Sequence, residues 1–154
     1  MSLEDLVEDR DKAKALAHQI IDKPHYLALF LRFCFRPCCP RELVRTQVIY
    51  SKLKYISRPT VFAVLKKFRQ LNIVEPMKVS LDKRKKYYKL TDLGKQVKSE
   101  ITSMITTWLE HEMALSFGTV EELQTKIEKT LKVPAEYVIA VLDTDFLRKI
   151  IRAR

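Results

Sequence analysis

Glycine is nearly absent from this chain. Gly94 and Gly118 are the only two among 154 residues, which argues against a loop-rich or β-barrel protein and for helices. Long apolar runs are missing too. The best one, Tyr26–Phe35, is too short to span a bilayer and is broken by Arg32. The stretch MSLEDLVEDRDK is charged where a signal peptide is apolar, so a cytoplasmic location is expected. Cysteine is scarce: Cys34, Cys38 and Cys39 lie within six residues of one another and none occurs elsewhere. An odd, clustered set excludes the disulfide framework of a small secreted domain. A zinc site wants about four soft ligands, and His25 is the only histidine nearby. No metal is therefore expected. The thiols read as buried or turn cysteines, with a redox or metal role as the minor alternative. There is no Gly-rich phosphate loop, no His/acid cluster and no nucleophile beside a base, and His18, His25 and His111 are scattered. Neither an enzyme nor a cofactor is expected.

What the chain does have is positive charge concentrated in one place. Residues 41–98 hold sixteen Lys and Arg against four acids (Glu42, Glu75, Asp82 and Asp92), a net +12. Residues 1–40 balance at zero, and residues 99–154 carry seven bases against nine acids. A solubilising charged surface would be spread evenly. A concentrated one meets polyanions, because each neutralised phosphate releases condensed counterions. The length allows one domain with a real core, or a small domain with a dimerisation extension.

Periodicity and capping residues divide the chain. Ser2 caps a first helix to about Asp22, with Glu4, Asp5 and Glu8 at the positive end of its dipole. Pro24 starts a strongly apolar second helix to about Phe35. Pro40 fits the first turn of a third, containing Leu43, Val44, Val48, Ile49 and Leu53. Ser57 caps a fourth, in which Val61, Val64, Leu65, Phe68 and Leu71 form one apolar stripe. Met77–Leu81 and Lys86–Leu90 flank a charged turn and predict a β-hairpin. Thr91 caps a long helix to about Leu115, and Thr119 with Glu122 makes a capping box for another to about Leu131. Pro134–Leu142 and Thr144–Arg152 read as two short helices, although Val138–Leu142 alone also suits a strand.

Three strings within residues 24–115 carry a family likeness. They are Ser57-Arg58-Pro59-Thr60-Val61 with Leu65, Phe68 and Leu71; then Asn72-Ile73-Val74-Glu75; then the run from Asp82 through Tyr88-Lys89-Leu90-Thr91-Asp92-Leu93-Gly94. In that order and spacing the chain resembles the winged helix-turn-helix transcriptional regulators of the MarR and PadR type. The resemblance implies a mainly α fold with a small β-hairpin wing. The chain is expected to divide into an N-terminal helix over 1–23, a DNA-binding domain over 24–98 and a helical extension over 99–154; the resemblance itself assigns neither 1–23 nor 116–154. One interval departs from the family. Glu42-Leu43 and Ser57 lie fifteen residues apart, which requires either a helix longer by about two turns or an enlarged turn over 48–56, and leaves Arg45, Lys52, Lys54 and Tyr55 unassigned as phosphate contacts.

On this likeness the Ser57-capped helix enters the major groove of double-stranded DNA, its N-terminal side chains on base edges and its dipole and free N–H groups towards phosphate. Arg58, Pro59, Thr60, Phe62 and Ala63 then face the bases, with Arg58 the candidate reader of guanine, and Lys66 and Lys67 reach the backbone. Phe62 either packs on the preceding helix or meets a thymine methyl. Lys83, Arg84 and Lys85 form the wing tip, with Asp82 orienting Arg84; the plain alternative is a solvated basic turn. The apolar face of the long helix (Ile101, Met104, Ile105, Trp108 and Leu109) exceeds what a small winged domain covers, which assigns it, with the first helix and the C-terminal extension, to a homodimer. The expected function is sequence-specific regulation of transcription. The alternatives are a winged-helix module that binds protein in replication or basal transcription machinery, and a regulator responsive to a thiol oxidant or a small-molecule effector.

Overall fold

The computed structural model describes residues 2–50, 52–78, 85–113 and 119–151. Its elements run α1 (Leu3–Ile21), α2 (Pro24–Phe35), α3 (Pro40–Leu43), β1 (Gln47–Ile49), β2 (Leu53–Tyr55), α4 (Arg58–Gln70), β3 (Val74–Pro76), β4 (Tyr88–Leu90), α5 (Asp92–Met113), α6 (Val120–Leu131), α7 (Ala135–Ile139) and α8 (Thr144–Ile151). The protein is mainly helical, with two small antiparallel hairpins, β1–β2 and β3–β4. None of the described helices is long and apolar enough to cross a membrane.

Caps set most of these boundaries. Ser2 Oγ accepts from Asp5 N–H at 3.2 Å while Ser2 N–H donates to Asp5 Oδ2 at 3.3 Å, a reciprocal box that starts α1. Thr119 Oγ1 accepts from Glu122 N–H at the start of α6. That helix ends at Lys132, whose φ of 61° places it in the left-handed region.

The centre of the core is α2. Seven of its twelve residues are buried, among them Leu27, Phe30, Leu31 and Phe33. Phe68 of α4 meets it edge-on, its ring centroid 6.0 Å from Phe30 and 5.7 Å from Tyr26. Such aromatic pairs add directional attraction to the burial itself. On the other side Ala13, Leu16, Ala17 and Ile20 of α1 pack along α5, whose Val97, Ile101, Ile105 and Leu109 recur every fourth residue and are all buried.

The face expected to form the dimer packs within one chain. Ile101, Ile105 and Leu109 are at most 1% exposed within one chain, and Met104 and Trp108 are half-buried against the same core. The apolar face of α5 is covered by α1. Nor does the C-terminal extension stand free. Val133, Ala135 and Val138 are buried, α7 packs on α2, and Lys126 of α6 pairs with Glu112 of α5 at 3.3 Å.

Two further expectations are revised. The third helix stops at Leu43, and the interval before Ser57 is the hairpin β1–β2, in register Gln47↔Tyr55, Val48↔Lys54 and Ile49↔Leu53. The extra length is therefore a strand pair, not two turns of helix. The second hairpin begins earlier than expected, with β3 at Val74–Pro76 pairing Val74↔Leu90 and Pro76↔Tyr88. Pro76 is tolerated on this edge because it need not donate. Val138–Leu142 is helix and turn, not strand.

Candidate nucleic-acid interface

The exposed face of α4 is the natural centre of a site, because burial on its opposite face fixes its orientation. Val61, Val64, Leu65 and Phe68 are buried, so Arg58, Pro59, Phe62, Ala63, Lys66, Lys67 and Gln70 point outward. The helix carries Arg58, Lys66, Lys67 and Arg69 and no acid. The acid-free stretch is longer than the helix: from Leu43 to Val74 there is no Asp or Glu, against seven Lys and Arg. Ion pairs among the described residues occur at Arg36–Glu42, Lys89–Glu75, Lys126–Glu112 and Arg148–Asp145, and none of them uses a cation of α4. That face is positive and unneutralised.

Its N-terminal end is tightly organised. Ser57 Oγ accepts from Thr60 N–H at 3.4 Å and lies 2.8 Å from Thr60 Oγ1. Val61 N–H donates to Ser57 O, and Pro59 has no N–H. The open backbone donor of this turn is therefore Arg58 N–H, so the helix end offers phosphate less than the free N–H groups expected from sequence. Side chains must supply the chemistry. Arg58 leans over Phe62, its guanidinium carbon 5.7 Å from the ring centroid, a contact that restrains both groups at the exposed surface. Phe62 remains 43% exposed, so it does not pack away beneath the preceding helix. Ala63, Lys66 and Lys67 are exposed, and Thr60 is half-buried.

Beside α4 runs a groove of about 590 Å³ walled by Pro40, Phe62, Lys66, Arg69, Gln70 and Tyr88. Tyr88 holds its floor and is buried between two cations, with Arg69 at 5.3 Å and Lys86 at 5.9 Å from its ring. A strand contact missed from sequence fixes this tyrosine. Cys38 N–H donates to Tyr88 O at 3.0 Å, and Tyr88 N–H donates to Cys38 O at 2.8 Å, an isolated bridge that ties the segment before α3 to β4. A single bridging residue leaves no periodicity in the sequence to find it by. Of the expected wing tip, Lys85 is described and half-buried. Asp82, Lys83 and Arg84 lie outside the described residues.

The base of the second hairpin is locked to α5. Thr91 Oγ1 donates to Asn72 O at 2.6 Å and accepts from Gly94 N–H at 3.0 Å, while Thr91 N–H donates to Ile73 O. Asn72 has φ 61°, a turn conformation that asparagine tolerates better than most residues. The matching string Thr91-Asp92-Leu93-Gly94 is thus the knot that sets the angle between hairpin and helix.

The three cysteines are free and buried. Burial pushes the Cys34 thiol up to about 12, partly opposed by Lys98, and the Cys38 thiol up to about 11. Cys38 Sγ donates to Arg36 O at 3.2 Å and Cys39 Sγ to Glu42 Oε1 at 3.6 Å. Protonated thiols are poor nucleophiles, so these environments weigh against the thiol-responsive alternative. Among the described residues no group of three His, Cys, Asp or Glu could hold a metal ion. A cavity of about 250 Å³ between α2 and α7, lined by Leu31, Arg32, Phe35, Arg36 and Tyr137, is small for a typical effector site. The chain matches no family model, no curated protein and no solved structure.

Proposed function

We propose that the protein is a sequence-specific, double-stranded-DNA-binding transcriptional regulator of winged helix-turn-helix type, working in the cytoplasm. One observation carries the reading: an acid-free helix, seated by Val61, Val64, Leu65 and Phe68, turns Arg58, Phe62, Ala63, Lys66 and Lys67 outward, with no ion pair to its cations among the described residues. A major groove admits one helix of this kind, and arginine donates twice to guanine while lysines further along meet the backbone. The order α2, α3, α4, β3, β4 supports it once the β1–β2 hairpin between α3 and α4 is taken as an insertion, as does the adjacent pair of cations over Tyr88.

A homodimer belongs to the same reading, with its contact moved to the N-terminal half of α1. Leu3, Leu6 and Val7 are 80%, 53% and 52% exposed there. Two copies laid antiparallel about Leu6 would pack this apolar stripe against its own copy. Selection of bound duplexes from a random pool by the full-length protein tests both parts. The expected outcome is an enriched inverted repeat with half-sites about one helical turn apart. An enriched but asymmetric site, bound by a monomer in sedimentation, removes the dimer alone. Binding without enrichment removes the sequence-specific regulator.

A further inference from the structure

The β1–β2 hairpin is rigidly braced on one strand and bare on the other. Gln47 N–H donates to Tyr137 Oη at 3.1 Å and Ile49 N–H donates to Lys132 O at 2.8 Å. Ile56 N–H donates to Thr46 O, and Tyr50 Oη lies 2.9 Å from a ring nitrogen of His25. Val48 is buried. The Tyr137, Lys132 and His25 ties hold β1 and the hairpin tip to α7, to the C-cap of α6 and to α2, while Ile56 and Thr46 close the hairpin's base. On the opposite strand every residue is exposed: Leu53 by 52%, Tyr55 by 65%, and Lys54 between them, with Lys52 exposed just before. An open strand edge bearing large apolar side chains invites unwanted pairing, so a protein that keeps one braced and outward has a use for it. The strand ends three residues before Arg58, which puts it beside the N-terminal turn of α4 by chain connection alone.

We infer that this hairpin is a second DNA contact, in which Lys52 and Lys54, two residues apart, meet phosphates of the duplex flanking the segment under α4. The inference rests on the DNA-binding reading of α4. Charge supports DNA over a protein partner, since the hairpin sits within the acid-free stretch from Leu43 to Val74 and adds Arg45, Lys52 and Lys54 to the cations of α4. Bracing supports it as well. Cations held on a rigid strand lose less freedom on meeting phosphate than cations on a loose loop. If instead Lys52 and Lys54 only guard an open edge, their removal leaves DNA binding untouched.

The test is a salt titration of full-length protein on a fluorescein-labelled duplex of arbitrary sequence, read by anisotropy. Lys52→Ala/Lys54→Ala is compared with Lys12→Ala/Lys14→Ala, which removes the same charge from exposed positions on α1. The hairpin pair is expected to lower the slope of log affinity against log salt by about two, and the α1 pair to leave it unchanged. All these positions are exposed, so thermal unfolding should match wild type and keep the comparison clean. The inference is overturned if the hairpin pair keeps the wild-type slope, or if both pairs lower it equally. If Lys66→Ala/Lys67→Ala weakens binding while the hairpin pair behaves as wild type, the hairpin role fails and the α4 reading stands. If the wild type shows no salt-dependent duplex binding, the α4 reading fails and takes the hairpin role with it.

Discussion

A methyl group at position 94 would sit 2.1 Å from the carbonyl oxygen of Ile73 and 3.1 Å from Leu90 Cδ2. The first obstacle is backbone, so α5 or the hairpin base has to move. Gly94→Ala is expected to destabilise by roughly 1–3 kcal/mol, the usual cost of overpacking, and to shift the urea midpoint accordingly. An unchanged midpoint would show that the knot of Asn72, Thr91 and Gly94 does not hold the angle. The buried thiols make a second residue-scale prediction. Cys34 and Cys38 titrate higher in the fold than the ordinary 9.0. Below that value both states keep the proton and the thiols do not affect stability. Above it the unfolded chain loses protons that the fold retains, so stability falls as pH rises from about 9 towards 11 and 12. Chemical denaturation across that range is expected to show the fall, and Cys34→Ala to show a shallower one. Equal slopes in both proteins would mean that the Cys34 environment does not disfavour the thiolate.

The elements were legible wherever a local rule set them. Ser2, Ser57 and Thr119 announce their helices because a cap is read from the cap and the three residues after it. Pro24 and Pro40 do the same from the first turn. The strip Val48-Ile49 with Leu53 was misread as helix because two short strands and one helical turn place apolar residues at overlapping intervals. Only the pairing of Gln47–Ile49 with Leu53–Tyr55 separates the two, and pairing is not local. The same limit explains the long helix. Its apolar stripe from Val97 to Leu109 was visible, but a stripe names a face and not the partner that covers it. That partner is α1 of the same chain, whose own stripe strengthens from Ala13 onward. In the candidate interface, the outward residues of α4 followed from the stripe they oppose. The Cys38 bridge to Tyr88 and the braced hairpin did not, since each depends on residues far apart in sequence.

Across the whole molecule the charge is divided by region. The +12 of residues 41–98 sits between a neutral N-terminal segment and a slightly acidic C-terminal one, and among the described residues no ion pair reaches the cations of α4. Such a field raises the encounter rate with any polyanion, so binding alone does not distinguish a reader of sequence from a basic surface. Loss of one arginine does. On the duplex enriched by selection and on a scrambled duplex of the same length, Arg58→Ala is to be titrated beside the wild type at fixed salt. The account predicts a loss of roughly 1–3 kcal/mol on the selected duplex, with relaxed preference at one base position, and little change on the scrambled one. Equal losses on both would contradict it, because Arg58 would then be only one more positive charge.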